Sequence, residues 1–154
     1  MQDNITVTIK DGKIIVKGEK GELRLKLPQS GKAAADAGTQ KSLTANAITG
    51  LTSGFSKIME IVGTGYKAAP KDKGLELFLG YSHTVNFTAP EGITLTVKDN
   101  RFITVSGADK YLVGQTAANL RRLRRPDAYK GKGIRYQGEV IKLKPGKAAK
   151  AAEG

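Results

Sequence analysis

The chain of 154 residues contains no cysteine. That excludes disulfide bonds and thiolate metal sites, and nothing in the composition points to secretion. Long apolar runs are missing too: none approaches the ~20 residues needed to span a bilayer. The opening segment, MQDNITVTIK, carries no signal-peptide apolar core. A cytoplasmic or organelle-interior protein without a membrane partner is the expectation. Histidine is almost absent, His83 in LGYSHTV being the single one. With no cysteine and no tight carboxylate cluster beside it, His83 cannot complete a usual metal site, and no second base is signposted for nucleophilic catalysis. The two glycine pairs do not make a nucleotide loop. Gly63-Thr64-Gly65-Tyr66-Lys67 lacks the third glycine of the dinucleotide fingerprint, and Gly131-Lys132-Gly133 lacks the Lys-Ser/Thr end of the P-loop. Both precede strand patterns, so neither offers a helix N-terminus to a phosphate. No enzymatic activity, metal, cofactor or small-molecule substrate is therefore expected.

Acidic residues are scarce beside basic ones, 14 Asp+Glu against 26 Lys+Arg, for a formal charge of +12. The excess is uneven. Residues 121–154 hold 11 basic and 3 acidic residues, whereas residues 1–120 hold 15 and 11. Two thirds of the surplus thus lies in the last 34 residues, which argues for a basic surface aimed at a polyanion rather than a merely solvated face.

What the chain does have is an internal repeat. Residues 5–18, ITVTIKDGKIIVKG, are echoed by residues 93–107, ITLTVKDNRFITVSG. Each alternates apolar residues with threonine, as a strand with one buried face does. Asp11-Gly12 and Asp99-Asn100 are hairpin turn signals, because these residue types tolerate positive φ. A helix pattern follows each copy, roughly Thr39–Ser53 in the first and Lys110–Arg125 in the second, where Asp109 is placed to cap the first turn. In the second helix Val113, Ala117 and Leu120 share an apolar stripe, and Gln115, Asn119 and Arg122 share a polar one. Strands are expected at Leu75–Leu79 and Glu139–Leu143, and residues 29–38 read as a loop. The fold class is α+β, with two tandem similar units, each a small, mostly antiparallel sheet with one helix on a face. The expected divisions are 1–80, a scaffold unit; 81–146, the main binding unit; and 147–154, a basic Ala-rich tail.

The copies diverge where charge matters. The second helix ends in Arg121, Arg122, Arg124 and Arg125, which the pattern places on its last turns before Pro126 stops it. The loop beyond sets Lys130 and Lys132 beside Gly131 and Gly133, where a backbone can approach a ligand closely. Cations, flat aromatics and open backbone N–H groups suit a phosphate backbone with unstacked bases. At the first glycine pair a tight bend or bulge is the favoured reading.

The run Pro126-Asp127-x-Tyr129-Lys130-Gly131-Lys132-Gly133-Ile134 resembles the large-subunit ribosomal protein L-six family. So do Gly63-x-Gly65-Tyr66-Lys67-Ala68, Leu79-Gly80-Tyr81-Ser82-His83, Pro90-x-Gly92-Ile93, and Gly107-x-Asp109-Lys110 leading to Gly114-Gln115-x-Ala117-Ala118. The resemblance covers about residues 5–147, and the duplication is itself a family trait. It implies a structural constituent of the large ribosomal subunit that binds large-subunit rRNA, mainly through the second unit. The implied location is near the factor-binding region and stalk base, among neighbouring large-subunit proteins. By position, the implied rRNA contacts are Tyr129, Lys130, Gly131, Lys132, Gly133 and Arg135. The four helix arginines, Lys142, Lys144 and Lys147, and Ser82 with His83 come next. The chain departs from the family in its amino half, which lacks the usual opening strand and a strand pair before the first helix. That shortening bears on the stability of the first unit rather than on the RNA site. Two rival readings are a free-standing RNA-binding module outside the ribosome and an enzyme using His83 with a nearby carboxylate.

Overall fold

The computed structural model describes residues 6–10, 13–18, 21–26 and 33–146. The alternating amino-terminal segments form β1 (Thr6–Lys10), β2 (Lys13–Gly18) and β3 (Gly21–Lys26), an antiparallel meander in the order β1-β2-β3. The third strand, GELRLK, is one the repeat did not announce. Its Leu23 and Leu25 are half-buried, while Glu22 and Arg24 are exposed and joined at 2.7 Å. Helix α1 (Ala33–Thr52) packs on β2 and β3 through an apolar i, i+4, i+8 stripe of Leu43, Ala47 and Leu51. It begins earlier than the expected Thr39, because the alanine run at 33–35 has the highest helix propensity of any residue and overrides the small, polar character of the segment. The Asp11-Gly12 turn lies outside the described residues.

After α1 come β4 (Phe55–Val62), β5 (Lys67–Lys71), β6 (Gly74–Phe78), β7 (Val85–Thr88), β8 (Ile93–Lys98), β9 (Phe102–Gly107), α2 (Lys110–Leu123) and β10 (Gly133–Tyr136). One sheet has the order β10-β4-β9-β8 and another the order β5-β6-β7. The β8–β9 hairpin turns through Asp99 and Asn100 at φ of 55° and 54°, the left-handed pair that the sequence signals. Helix α2 starts as expected, with the Tyr111 N–H donating to Asp109 Oδ1 at 2.8 Å. No strand forms over residues 139–143. That segment is irregular, and Lys144 N–H instead donates to the Ala128 carbonyl at 2.8 Å.

Contacts gather the chain into two compact units, Met1–Ser56 with Ser106–Val113, and Lys57–Val105 with Gly114–Gly154. This grouping cuts across the sequence repeats. Strands β4 to β6 follow the first helix in the chain, yet β4 pairs with β10 and neighbours β9. The Gly80–Ser82 stretch, read from sequence as a division between repeats, therefore lies inside the second compact unit. Among the described residues the first unit's core has Ile14, Val16, Ala47 and Leu51 buried, with Leu23, Leu25, Leu43 and Ala108 packed against them. The second unit buries Met59 and Ile61 from β4, Leu75 and Leu77 from β6, Ile103 and Val105 from β9, Ala117 and Leu120 from α2, and Ile134 from β10.

Candidate nucleic-acid interface

The basic run sits where α2 gives way to β10, within the second unit. Only Arg121 and Arg122 belong to the helix, which ends at Leu123. Arg124 and Arg125 follow it, a correction to the reading that set all four on the last turns. The cause is local and tertiary together. Proline disfavours αR in its predecessor, and the terminal carbonyls find partners elsewhere. Tyr81 Oη donates to the Leu123 carbonyl at 2.8 Å, and Ile134 N–H donates to the Arg124 carbonyl at 2.8 Å. Helix ends need such partners for their orphan carbonyls.

The loop beyond Pro126 is held by Asp127. Its Oδ2 accepts the N–H groups of Lys130 at 2.9 Å and Tyr129 at 3.3 Å. Its carbonyl accepts from Gly131 N–H at 2.9 Å, and its own N–H donates to the Lys132 carbonyl at 3.0 Å. The lone carboxylate between the arginines and the lysines is thus spent on backbone. Gly133 then enters β10, with Gly133 opposite Val62 and Ile134 opposite Ile61. The two glycine pairs of the sequence consequently meet at the same end of paired strands. The second glycine of the loop serves the chain's own packing: a Cβ on Gly133 would lie 2.7 Å from the Arg125 carbonyl group and from Pro126 Cα. Gly63 and Gly80 likewise make room for the Tyr66 ring, which a Cβ on either would meet at 2.8 Å.

The predicted site residues divide sharply. Arg121 is paired with Glu139, and Arg135 with Glu60 at 2.9 Å, all four side chains being a third or less exposed. These two arginines are engaged within the unit, Arg121 of α2 with Glu139 and Arg135 of β10 with Glu60 of β4. Arg122, Arg125, Lys130, Lys142 and Lys144 are exposed and Lys132 is half-buried. None of the six has an ion pair among the described residues. Tyr129 is 59% exposed. Gly131 is half-buried and Gly133 buried. The Lys144–Ala128 hydrogen bond brings Lys142 and Lys144 beside the loop. Ser82 and His83 are exposed in the β6–β7 turn. Lys147 lies outside the described residues.

Sequence reading missed five residues that shape this surface: Tyr66, Tyr81, Asp127, Glu60 and Glu139. Tyr81 carries the Arg124 guanidinium 4.8 Å from its ring centroid. Tyr81 first, and Tyr66 with it, hold Arg124 above the ordinary arginine range by favouring its charged form. Asp127 was part of a motif but had no assigned task. The paired glycines around Tyr66 were the available signal for a wedged ring. The acids opposite Arg121 and Arg135 left none, being 18 and 75 residues away in the chain.

Glu139 has a readable pH signature. Burial pushes its pKa up, but the Tyr136 N–H at 3.0 Å and the Arg121 guanidinium outweigh that and hold it below its ordinary value of 4.5. A depressed carboxylate contributes stability above its unfolded pKa and loses it as pH falls through the folded value. Urea unfolding at a series of pH values should therefore show the wild type losing stability below about pH 4.5, with a shallower loss in Glu139→Gln. Parallel curves for the two proteins would rule this carboxylate out as a contributor.

Among the described residues no group of three or more His, Cys, Asp or Glu could hold a metal, and no helix is long and apolar enough to cross a membrane. Fold and site together define a basic α+β protein whose unpaired cations gather around one internally braced loop. Residues 62–137, from the end of β4 to the end of β10, match the family described as Ribosomal protein L6. The large ribosomal subunit protein uL6 of Thermodesulfovibrio yellowstonii is 47% identical, the match covering 96% of this chain and 93% of the relative. That of Hydrogenobaculum sp. is 46% identical over 96% of this chain and 91% of its own length, and that of Bifidobacterium longum subsp. infantis 55% identical over 73% and 63%. The chain belongs to the ribosomal protein L6 family. The Thermodesulfovibrio alignment runs over 167 positions, more than the 154 residues present, so this chain lacks residues that the relative carries within the matched span.

Proposed function

We propose that this protein is a structural, non-catalytic constituent of the large ribosomal subunit in the cytoplasm. It binds large-subunit rRNA through the second unit, near the factor-binding region and the stalk base, and meets neighbouring large-subunit proteins there. Family membership supports the assembly. The observation that carries the RNA contact is the Asp127 brace, which uses the loop's one carboxylate on backbone N–H groups and leaves Lys130 and Lys132 without an ion pair among the described residues. The contact is electrostatic and geometric. Lys130, Lys132, Arg122, Arg125, Lys142 and Lys144 neutralise phosphates, and the fixed loop sets their register. Arg121 and Arg135 act indirectly, by holding α2 and β10 in place.

Filter binding to transcribed large-subunit rRNA over a salt series tests this reading. The double variant Lys130→Ala, Lys132→Ala should bind more weakly and lower the slope of log affinity against log salt by roughly one to two units. An unchanged slope removes the loop from the interface. In sucrose gradients at moderate salt the wild type should travel with intact large subunits; recovery only in the free pool would count against the ribosomal assignment.

A further inference from the structure

The β6–β7 turn carries an aromatic feature that phosphate neutralisation does not use. Tyr81 and His83 lie with ring centroids 6.1 Å apart and planes within 19° of parallel. Both are exposed, Tyr81 by 42%. Isolated exposed aromatics are usually free to turn, but Tyr81 is fixed at both ends. Its hydroxyl donates to the Leu123 carbonyl, and its ring lies against the Arg124 guanidinium. The chain on either side of that carbonyl is itself anchored, since the next carbonyl, that of Arg124, accepts from Ile134 in β10. The result is a flat ledge anchored through Tyr81 beside the Arg124 guanidinium, with Tyr81, Ser82 and His83 all exposed.

We propose that the Tyr81–His83 ledge stacks an unpaired nucleobase of the bound RNA, with His83 supplying the stacking face and Tyr81 and Arg124 holding it in place. This rests on the rRNA-binding reading and adds to it the kind of RNA recognised: a single-stranded or bulged nucleotide rather than a regular duplex. The argument is physical. A-form duplex offers proteins mainly phosphates and 2′-hydroxyls, whereas an exposed aromatic plane finds its partner in a splayed-out base. The lysines and arginines serve the phosphates, but a parallel ring pair gains nothing from them. Among the tyrosines the division follows from packing: the half-buried Tyr66 ring is wedged against Gly63 and Gly80, while the exposed Tyr81 braces the ledge.

Stacking carries no counterion release, so its loss has a signature that a phosphate contact lacks. The full chain is titrated against transcribed large-subunit rRNA over a salt series, and unpaired bases are mapped by base-specific chemical modification. His83→Ala should bind about tenfold more weakly at every salt concentration with an unchanged salt slope, and should expose one unpaired base that the wild type protects. His83→Phe, which keeps a flat ring, should restore both affinity and protection. The proposal is overturned if His83→Ala binds and protects like the wild type, if its salt slope falls by about a unit as for a phosphate contact, or if phenylalanine fails to rescue. Failure of the wild type to bind the rRNA at all would instead overturn the rRNA-binding reading, and this inference with it.

Discussion

Gly133→Ala should lower the unfolding free energy by about 2–6 kcal/mol, the sum of a strained backbone and a forced overlap, each costing about 1–3 kcal/mol. The strain arises from a φ of 152°, which side-chain-bearing residues seldom adopt, and the overlap from Arg125 and Pro126 backbone atoms 2.7 Å from the new Cβ. Neither obstacle is a flexible side chain that can turn away. Relief requires β10 to shift, and β10 carries Ile134 into the core and ties the Arg124 carbonyl to the sheet. The basic loop should lose its register with it, so RNA affinity falls together with stability. Gly131→Ala is the comparison. Its φ is 66° and its nearest neighbour is the Leu143 side chain at 3.5 Å, so it should cost only about 1–2 kcal/mol, that of a left-handed residue. Denaturant unfolding of both variants checks the pair, and equal losses would refute close approach as the reason for glycine at position 133.

Ile14→Ala should unfold the first unit and leave the second standing. Ile14 is fully buried, opposite Leu25 on β3, in a core where Val16, Ala47 and Leu51 are the other buried residues among those described. Removing a buried isoleucine to alanine costs about 2–5 kcal/mol, and a core of this size rarely supplies more than about 3–5 kcal/mol. The loss is therefore comparable to everything the unit has. The second unit's buried residues, Met59, Ile61, Leu77, Ile103, Leu120 and Ile134 among them, come from other strands and from α2. Hydrogen exchange read by mass spectrometry should show α1, β2 and β3 losing protection while β6 and β10 keep it, and rRNA binding in the salt series should persist. Collapse of protection throughout the chain would show that the two cores do not stand apart.

Much of the fold was legible locally. The β8–β9 hairpin followed from alternation and from Asp99-Asn100, α2 from its cap at Asp109 and its Val113, Ala117, Leu120 stripe, and the basic locus from the bias of charge toward the carboxyl end. The misreadings have physical causes. Residues 33–38 looked like a loop because they are small, yet alanine favours helix whatever its size. Residues 139–143 looked like a strand, but Glu139 turns inward to Arg121 and the Tyr136 N–H and stops the chain from running on in extended form.

The Pro126–Ile134 run carries the family resemblance, but the repeat does not mark the units of packing. β4 belongs to the first repeat by order and to the second unit by pairing, because Met59 to Val62 lie opposite Gly133 to Tyr136, residues far along the chain. What the amino-acid sequence determined by itself is what neighbours decide: strand alternation, turn chemistry, helix capping and where the positive charge concentrates. Which of those charges face outward was decided only by the tertiary structure. Arg121 and Arg135 look no different from Arg122 and Lys130 in the sequence, but distant carboxylates on other elements neutralise the first two. An ion pair between remote residues depends on how the sheet closes, and no local propensity carries that information.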